Sequence, residues 1–282
     1  MSIHSTNLTQ THAIRLAAVP MLVLATVFAG PGQAQVAPEG TESILWQHRE
    51  GRIHYWPMSN GERLGGVNIS GLVGAEWTLL GSGDITGDGI DDLIWQRRDG
   101  QVHGWEMNGG HMVRGFNIDT PVSGNWQLAG VGDLNGDGTD DILWLRRDGQ
   151  VHFWPMRNGG RVDGIDISTP VGASWALVGA GDLNGDGTDD IVWRNISGQV
   201  HYWPMNAGLR VDGINIGDPV SADWTLAAVG DITGDGVDDL VWQRRDGQVH
   251  GWSIQGGQRV DGFNIDTPVS GDWRLAGVGD ID

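Results

Sequence analysis

Residues 126–170 read WQLAGVGDLNGDGTDDILWLRRDGQVHFWPMRNGGRVDGIDISTP. Short apolar runs alternate here with turn signals: an acidic, glycine-rich stretch at 133–141, then Asp148-Gly149, then Asn158-Gly159-Gly160. Asp-Gly and Asn-Gly between apolar runs mark hairpins, because both central residues of a type I′ turn need φ > 0. The stretch therefore predicts four successive strands, at 126–132, 141–147, 150–156 and 161–168. Four antiparallel strands within about 40 to 50 residues make one blade of a β-propeller.

The stretch recurs along the chain. Trp77, Trp126, Trp175, Trp224 and Trp273 lie 49 residues apart, as do Trp46, Trp95, Trp144, Trp193 and Trp242, and Trp56, Trp105, Trp154, Trp203 and Trp252. Three series of five account for all 15 tryptophans, so none is left over for a unique site. No apolar series persists at helical spacing past the N-terminal segment, which excludes a helical solenoid. Five periods fill 245 residues, the length from Pro38 to Asp282. The last residues, Gly279-Asp280-Ile281-Asp282, open an acidic loop, and Glu39-Gly40-Thr41-Glu42-Ser43 align with the close of one, Asp137 to Asp141. The expected fold is all-β: a five-bladed β-propeller of 49-residue, four-stranded blades. The strand at Trp273 joins strands from residues 44–69 in a shared fifth blade, so the ring closes by pairing the N- and C-terminal strands. An open fragment of a larger propeller is the alternative.

Composition narrows the chemistry. The 282-residue chain has a formal charge of −19, its 17 basic residues are all arginine, and it has no cysteine. That excludes a basic footprint for nucleic acid or anionic lipid, and it excludes disulfides, cysteine-ligated metals, thiol catalysis and Schiff bases. At the N-terminus a single charge, Arg15, precedes an apolar run from Leu16 to Gly30 and then Gly32-Gln33-Ala34. This reads as a signal peptide over 1–34, since about 15 apolar residues broken by Pro20 fall short of the roughly 20 that span a bilayer. A leader at 35–37 and the propeller at 38–282 follow. The mature chain is expected to be secreted or periplasmic, with no membrane insertion after cleavage.

The acidic loops carry the clearest chemical signal. Four intact copies run from Asp84 to Asp92, Asp133 to Asp141, Asp182 to Asp190 and Asp231 to Asp239. Oxygen-bearing residues stand at positions 1, 3, 5 and 9, with glycine at 4 and 6. The sets are Asp84, Thr86, Asp88, Asp92; Asp133, Asn135, Asp137, Asp141; Asp182, Asn184, Asp186, Asp190; and Asp231, Thr233, Asp235, Asp239. Position 7 (Ile90, Thr139, Thr188, Val237) offers a backbone carbonyl. Calcium takes six to eight hard oxygen ligands at about 2.3–2.6 Å, and converging carboxylates without a cation repel one another. Calcium at about four sites is the expectation. A degenerate fifth site would join Asp280 and Asp282 to Glu39 and Ser43.

The repeat Gly-Val-Gly-Asp-Leu-Asn-Gly-Asp-Gly-Thr-Asp-Asp-Ile-Leu-Trp (130–144) resembles the bacterial FG-GAP-like, or VCBS-type, repeat. Its loop is similar to the calcium loops of the integrin α-subunit propeller. The resemblance covers about residues 38–282 and implies an ion between the first and second strands of a blade. Asp133, Asn135, Asp137, the Thr139 carbonyl and Asp141 would hold it, with the matching residues in each copy. No literal Phe-Gly or Gly-Ala-Pro element occurs, and five blades are fewer than the integrin ring has, so the integrin ligand surface does not transfer.

Other recurrent residues read as packing first. His54, His103, His152, His201 and His250 precede a tryptophan by two in every repeat, which favours a hydrogen-bonded structural role over a catalytic ring. Tryptophans near a rim could stack on sugars. The pairs Arg97-Arg98, Arg146-Arg147 and Arg244-Arg245 are expected to meet nearby carboxylates or solvent. An enzyme needs a constellation that breaks the symmetry, and the clearest departures, His48, Glu106 and His111, gather nothing else around them. No nucleophile motif, phosphate loop or dinucleotide fingerprint occurs, so no catalytic residues are expected. The sequence thus points to a calcium-binding adhesion module, lectin-like, with a glycan or cell surface as partner. A protein-interaction scaffold is the alternative, and a polysaccharide lyase-like enzyme comes next.

Overall fold

The computed structural model describes residues 41–69, 71–167, 170–266 and 268–282. The signal-peptide reading of 1–34, the leader at 35–37 and Glu39 lie outside the described residues. Among the described residues every regular element is a strand, and no helix is long and apolar enough to cross a membrane.

Five four-stranded antiparallel sheets follow one another in a five-bladed β-propeller. Blade 1 comprises Trp77–Gly83, Asp92–Arg97, Val102–Asn108 and His111–Ile118. Blade 2 comprises Trp126–Gly132, Asp141–Arg146, Val151–Trp154 and Ile165–Asp166. Blade 3 comprises Trp175–Gly181, Asp190–Asn195, Val200–Trp203 and Ile214–Ile216. Blade 4 comprises Trp224–Gly230, Asp239–Arg244, Val249–Trp252 and Phe263–Asp266. Blade 5 is built from both ends of the chain. Trp273–Gly279 pairs with Ser43–His48, which pairs with Ile53–Trp56 and then Val67–Ile69. The shared blade read from the phase of the termini is therefore present.

The first strand of each blade carries one extra residue at the same place, for example between Leu128 and Gly130. A bulge at this point sharpens the twist. Apolar side chains of neighbouring blades pack together. Each hydrophobic core lies between neighbours: Ile85, Ile94 and Val102 of the blade 1 side meet Leu128, Ile142 and Trp144 of blade 2. Leu45, Ile53 and Tyr55 of blade 5 meet Leu79, Leu93 and Trp95 of blade 1 in the same way. Five blades thus share five cores, which leaves no blade with a bare apolar face.

The third strand differs from its sequence reading. A single strand over 150–156 was expected, but it stops at Trp154, and a separate small hairpin pairs Met156–Arg157 with Gly160–Arg161. Pro155 has no N–H to continue the ladder, and Pro57 and Pro204 sit at the same break. Ser253 produces the break too, so proline is not its only cause. Blade 1 has Glu106 here, and its third strand runs unbroken from Val102 to Asn108 with Glu106 opposite Arg114.

The hairpin glycines are fixed by contact as well as by φ. Gly149 has φ +92°, and a Cβ there would lie 2.0 Å from the Val171 carbonyl oxygen, whereas Gly109, φ +56°, has nothing within 4 Å. Gly149→Ala is expected to lower unfolding free energy by more than about 2 kcal/mol, and Gly109→Asn by less than about 1 kcal/mol. Urea unfolding of the two variants checks this. Equal losses would contradict the contact.

Candidate functional sites: tryptophan pockets and acidic loops

The three tryptophans of each blade come from three different positions on the sheet and meet at one place. In blade 2, Trp144 and Trp154 pack with ring centroids 4.7 Å apart, and Trp126 packs on His152 at 5.3 Å. Together with Arg161 and the interblade segment 119–123 they line a cavity of about 290 Å³. Blade 3 repeats it: Trp175, Trp193, Trp203, His201 and Arg210 line a cavity of about 300 Å³. The tryptophan pair recurs in all five blades at 4.7–4.8 Å. The tryptophan–histidine pair does so at 5.3–5.7 Å.

Polar groups in these pockets are oriented by their neighbours. Each repeated histidine donates from Nδ1 to a side chain on the fourth strand, Asn68, Asn117, Asn215 or Asn264, and to Asp166 in blade 2, at 2.8–3.1 Å. Nε2 is left as the acceptor. Arg63, Arg161, Arg210 and Arg259 stack their guanidinium groups on Trp56, Trp154, Trp203 and Trp252 at 4.1–4.4 Å. A Cβ on Gly164 would sit 2.6 Å from Arg161 Nη2 and 2.8 Å from His152 Nε2, so both groups pack closely on this glycine. The indole Nε1–H of Trp46, Trp95, Trp144, Trp193 and Trp242 has no acceptor in the protein, although each of these residues is only 1% exposed. Buried tryptophan N–H groups usually find a partner, and leaving one unmade costs about 1–3 kcal/mol. The unpaired donor recurs in every blade next to the aromatic pair. The sequence reading treated these histidines and most tryptophans as packing. The hydrogen bonds support that for His Nδ1, but the lining of the pockets goes beyond it.

Blade 1 departs from the pattern. Met112 stands where the other blades have the stacked arginine, and Arg114 instead stacks on Phe116 and donates to Glu106 at 2.9 Å. His111 is exposed on the facing strand, and no hydrogen bond or ion pair joins it to Glu106 among the described residues. His48 lies against Trp273 at 4.7 Å in blade 5. The three symmetry-breaking residues are not brought into one pocket. Arg97, Arg146 and Arg244 pair with Asp99, Asp148 and Asp246 at the hairpin turns, as expected.

The acidic loops are ordered by their own backbone. In the loop of Asp133, that carboxylate accepts the N–H groups of Gly136, Asp137 and Gly138 at 2.7–3.1 Å, and Asp137 accepts from Thr139 at 3.1 Å. Position 9, Asp141, accepts from Asn135 and from the Met156 N–H. The loops of Asp84, Asp182 and Asp231 repeat the first-position pattern. Among the described residues no three His, Cys, Asp or Glu side chains converge as a metal cluster; the carboxylates are turned to backbone donors. The donor chemistry nevertheless suits calcium. Every side-chain donor of the set is a hard oxygen, and Asp92, Asp141, Asp190 and Asp239 are fully buried without a cationic partner among the described residues. Burial first, and then the charges of nearby loop carboxylates, pushes each of these four up to about 7. In the split loop, Ser43 takes the place of this aspartate, and its Oγ is buried with no partner.

One ring of acids escaped the sequence reading. Glu42, Asp91, Asp140, Asp189 and Asp238 stand at position 8, one per blade, and surround an axial cavity of about 260 Å³. Each accepts a hydrogen bond from the position 1 N–H of the preceding blade's loop: Asp84 to Asp140, Asp133 to Asp189 and Asp182 to Asp238 at 2.8 Å, Asp231 to Glu42 at 3.1 Å, and Asp280 to Asp91 at 3.0 Å. Each also donates its own N–H to the carbonyl of that same position 1 residue, at 2.7–3.0 Å. Burial, with the charge of neighbouring carboxylates, raises all five; Asp140 and Asp238 reach about 7. The 49-residue spacing of these acids was the available signal.

Against this geometry, the model of the FG-GAP-like repeat matches residues 84–144, 133–193 and 182–242, together more than half of the chain. The chain belongs to the FG-GAP-like repeat family. No curated protein sequence matches it. Among solved structures this FG-GAP-like propeller is similar to an arginine-substituted mutant of AofleA from Arthrobotrys oligospora. That match has 12% identity over 86% of this chain and 72% of that one, with TM-score 0.52. It is also similar to a nidogen/laminin complex, with 10% identity over 84% of this chain and 97% of that one, TM-score 0.45. A third likeness is to the Photorhabdus luminescens Tc holotoxin pore, with 17% identity over 84% of this chain, TM-score 0.46. The FG-GAP-like chain spans only 12% of that toxin chain. The likeness to the AofleA mutant shows the fold alone.

The raised carboxylates set a pH dependence. Their folded pKa values exceed the ordinary 3.8, so between about pH 4 and 7 the unfolded chain releases protons that the folded chain keeps. Stability without metal therefore falls as pH rises through that window. With chelator present the melting temperature is expected to be lower at pH 8 than at pH 5, and calcium is expected to raise it more at pH 8. A metal-free melting temperature that rises with pH would contradict the assignment.

Proposed function

We propose that this FG-GAP-like propeller, a binding module by fold, recognises carbohydrate through the tryptophan pockets, with calcium holding the acidic loops. The single observation that carries the reading is the pocket of blade 2. Aromatic rings offer faces to the apolar side of a sugar ring, and the unpartnered Trp144 N–H, His152 Nε2 and Arg161 offer hydrogen bonds to its hydroxyls. A small, mostly aromatic cavity with a few convergent polar groups is the usual form of a small-ligand site. Repetition around the ring then turns weak single contacts into firm attachment to a repetitive glycan or cell surface. Export by the leader read at 1–34 fits such a partner and the absence of cysteine.

Calcium would be held by position 1, 3, 5 and 9 side chains and the position 7 carbonyl of the four intact loops. It would neutralise the buried position 9 carboxylates, and thereby firm the link between first and second strands. Protein docking is the second reading, and one feature favours it: Val113, Val162, Val211 and Val260 stand at equivalent sites, 57–66% exposed.

A glycan array probed with the folded mature chain in millimolar calcium tests the proposal. Binding to a defined sugar is expected, competed by the free monosaccharide at concentrations at least about 100-fold above the apparent affinity for the multivalent surface. A blank array from folded, calcium-loaded protein would overturn it in favour of a protein partner.

A further inference from the structure

The pockets are equivalent in their aromatic walls but not in their charge. In blade 2 the guanidinium of Arg161 is paired with Asp119 of the interblade segment at 3.0 Å, and Asp119 lines the cavity. Thr120 N–H and Arg161 hold the Asp119 carboxyl below the ordinary carboxylate range, so it is ionised at neutral pH. A second carboxylate, Asp166, holds the pocket histidine, His152, at 2.8 Å. In blade 3 both acids are absent. The repeat places Ser168 where blade 2 has Asp119, and Asn215 holds His201. Arg210 donates from Nε to the Asp212 carbonyl and has no carboxylate partner among the described residues. Among the described residues the cavity lining of blade 3 contains no acid. Asp163 and Asp212 stand at the same place next to the two arginines, so they do not account for the difference.

Resting on the carbohydrate reading above, we propose that the blade 3 pocket takes sugars bearing a carboxylate, such as hexuronates, while the blade 2 pocket takes uncharged sugars. With the two histidines in the same protonation state, the blade 3 pocket is more positive than the blade 2 pocket by two charges. Planar guanidinium matches a carboxylate with two parallel hydrogen bonds, and Arg210 lines the blade 3 cavity together with His201. In blade 2 a sugar carboxylate would meet two fixed like charges. Blade 4 follows blade 3: Arg259 has Gly217 at the Asp119 position and Asn264 on its histidine. In blade 5, Arg63 is paired with Asp266. The chain's overall acidity works against anionic ligands at long range, but it is screened beyond about 8 Å at physiological ionic strength, leaving the local pair to decide.

The indole N–H resonances of Trp144 and Trp193 report the two pockets separately, once Trp144→Phe and Trp193→Phe have assigned them. The intact mature chain is titrated with glucose, glucuronate, galactose and galacturonate at physiological ionic strength. The Trp193 resonance is expected to saturate at concentrations at least about tenfold lower for a hexuronate than for its hexose, a ratio worth about 1.4 kcal/mol, and the Trp144 resonance to show the reverse. Arg210→Gln should remove the preference at Trp193, and the Asp119→Asn/Asp166→Asn double variant, both changes at partly exposed sites, should create it at Trp144. Equal responses of both resonances to hexose and hexuronate would overturn the charge assignment and leave carbohydrate binding standing. Indole resonances unmoved by all four sugars in folded protein would overturn both.

Discussion

The structure depends on a paired hydrogen bond made five times around the axis. At every blade junction the first residue of an acidic loop gives its N–H to a carboxylate of the next blade and receives that residue's N–H on its own carbonyl. Charge-assisted bonds of this kind are roughly twice as strong as neutral ones, and here they sit in a partly enclosed ring where the dielectric is low. Two of the five junctions involve residues from opposite ends of the chain, Glu42 with Asp231 and Asp91 with Asp280. The ring therefore closes by the same contact that spaces its blades. The apolar cores between blades supply most of the burial, but they are non-directional; the latch sets the angle at which each blade meets the next. Its cost is the burial of five carboxylates, to which the charges of neighbouring carboxylates add, and both raise their pKa values.

The strands, the turns and the closed ring were legible in the sequence because each has a periodic cause. Asp148-Gly149 marks a hairpin by backbone requirement, tryptophans at 49-residue steps mark the blade, and the phase of Asp280 and Glu42 marks the join. The position 8 acids were not separated from the position 9 acids beside them, because Asp140 and Asp141 read alike until the fold turns one to the axis and the other into the blade. The break at Pro155 was passed over because flanking residues continue the alternation. The pockets were the least legible feature. Trp126, Trp144 and Trp154 lie on different strands, and only their assembly shows that a buried indole N–H lacks an acceptor.

Symmetry and its exceptions divide the work of this chain. What recurs without change, the latch, the tryptophan pair and the hairpin glycine, holds the ring together. What recurs with variation lies around the pockets: Asp119, Gly217 and Asp266 at one position, Asp166 among asparagines at another, and Met112 where arginine stands elsewhere. A ring of like frames with unlike charges presents a set of related sites, suited to a surface on which sugars differ in charge but repeat in spacing. The acidic loops sit on the other side of the argument. Their carboxylates are bound to backbone donors, and calcium would relieve the buried charge that those donors only partly offset.

Carbohydrate recognition stands or falls on whether the orphaned indole donors face a sugar. The most direct measurement is a crystal structure of the calcium-loaded protein soaked with saturating hexose. A sugar ring is expected against the tryptophans of the blade 2 pocket, with a hydroxyl oxygen about 2.9 Å from Trp144 Nε1. Sugar bound only elsewhere on the ring, with Trp144 and its four equivalents hydrogen-bonded to protein or water, would contradict it.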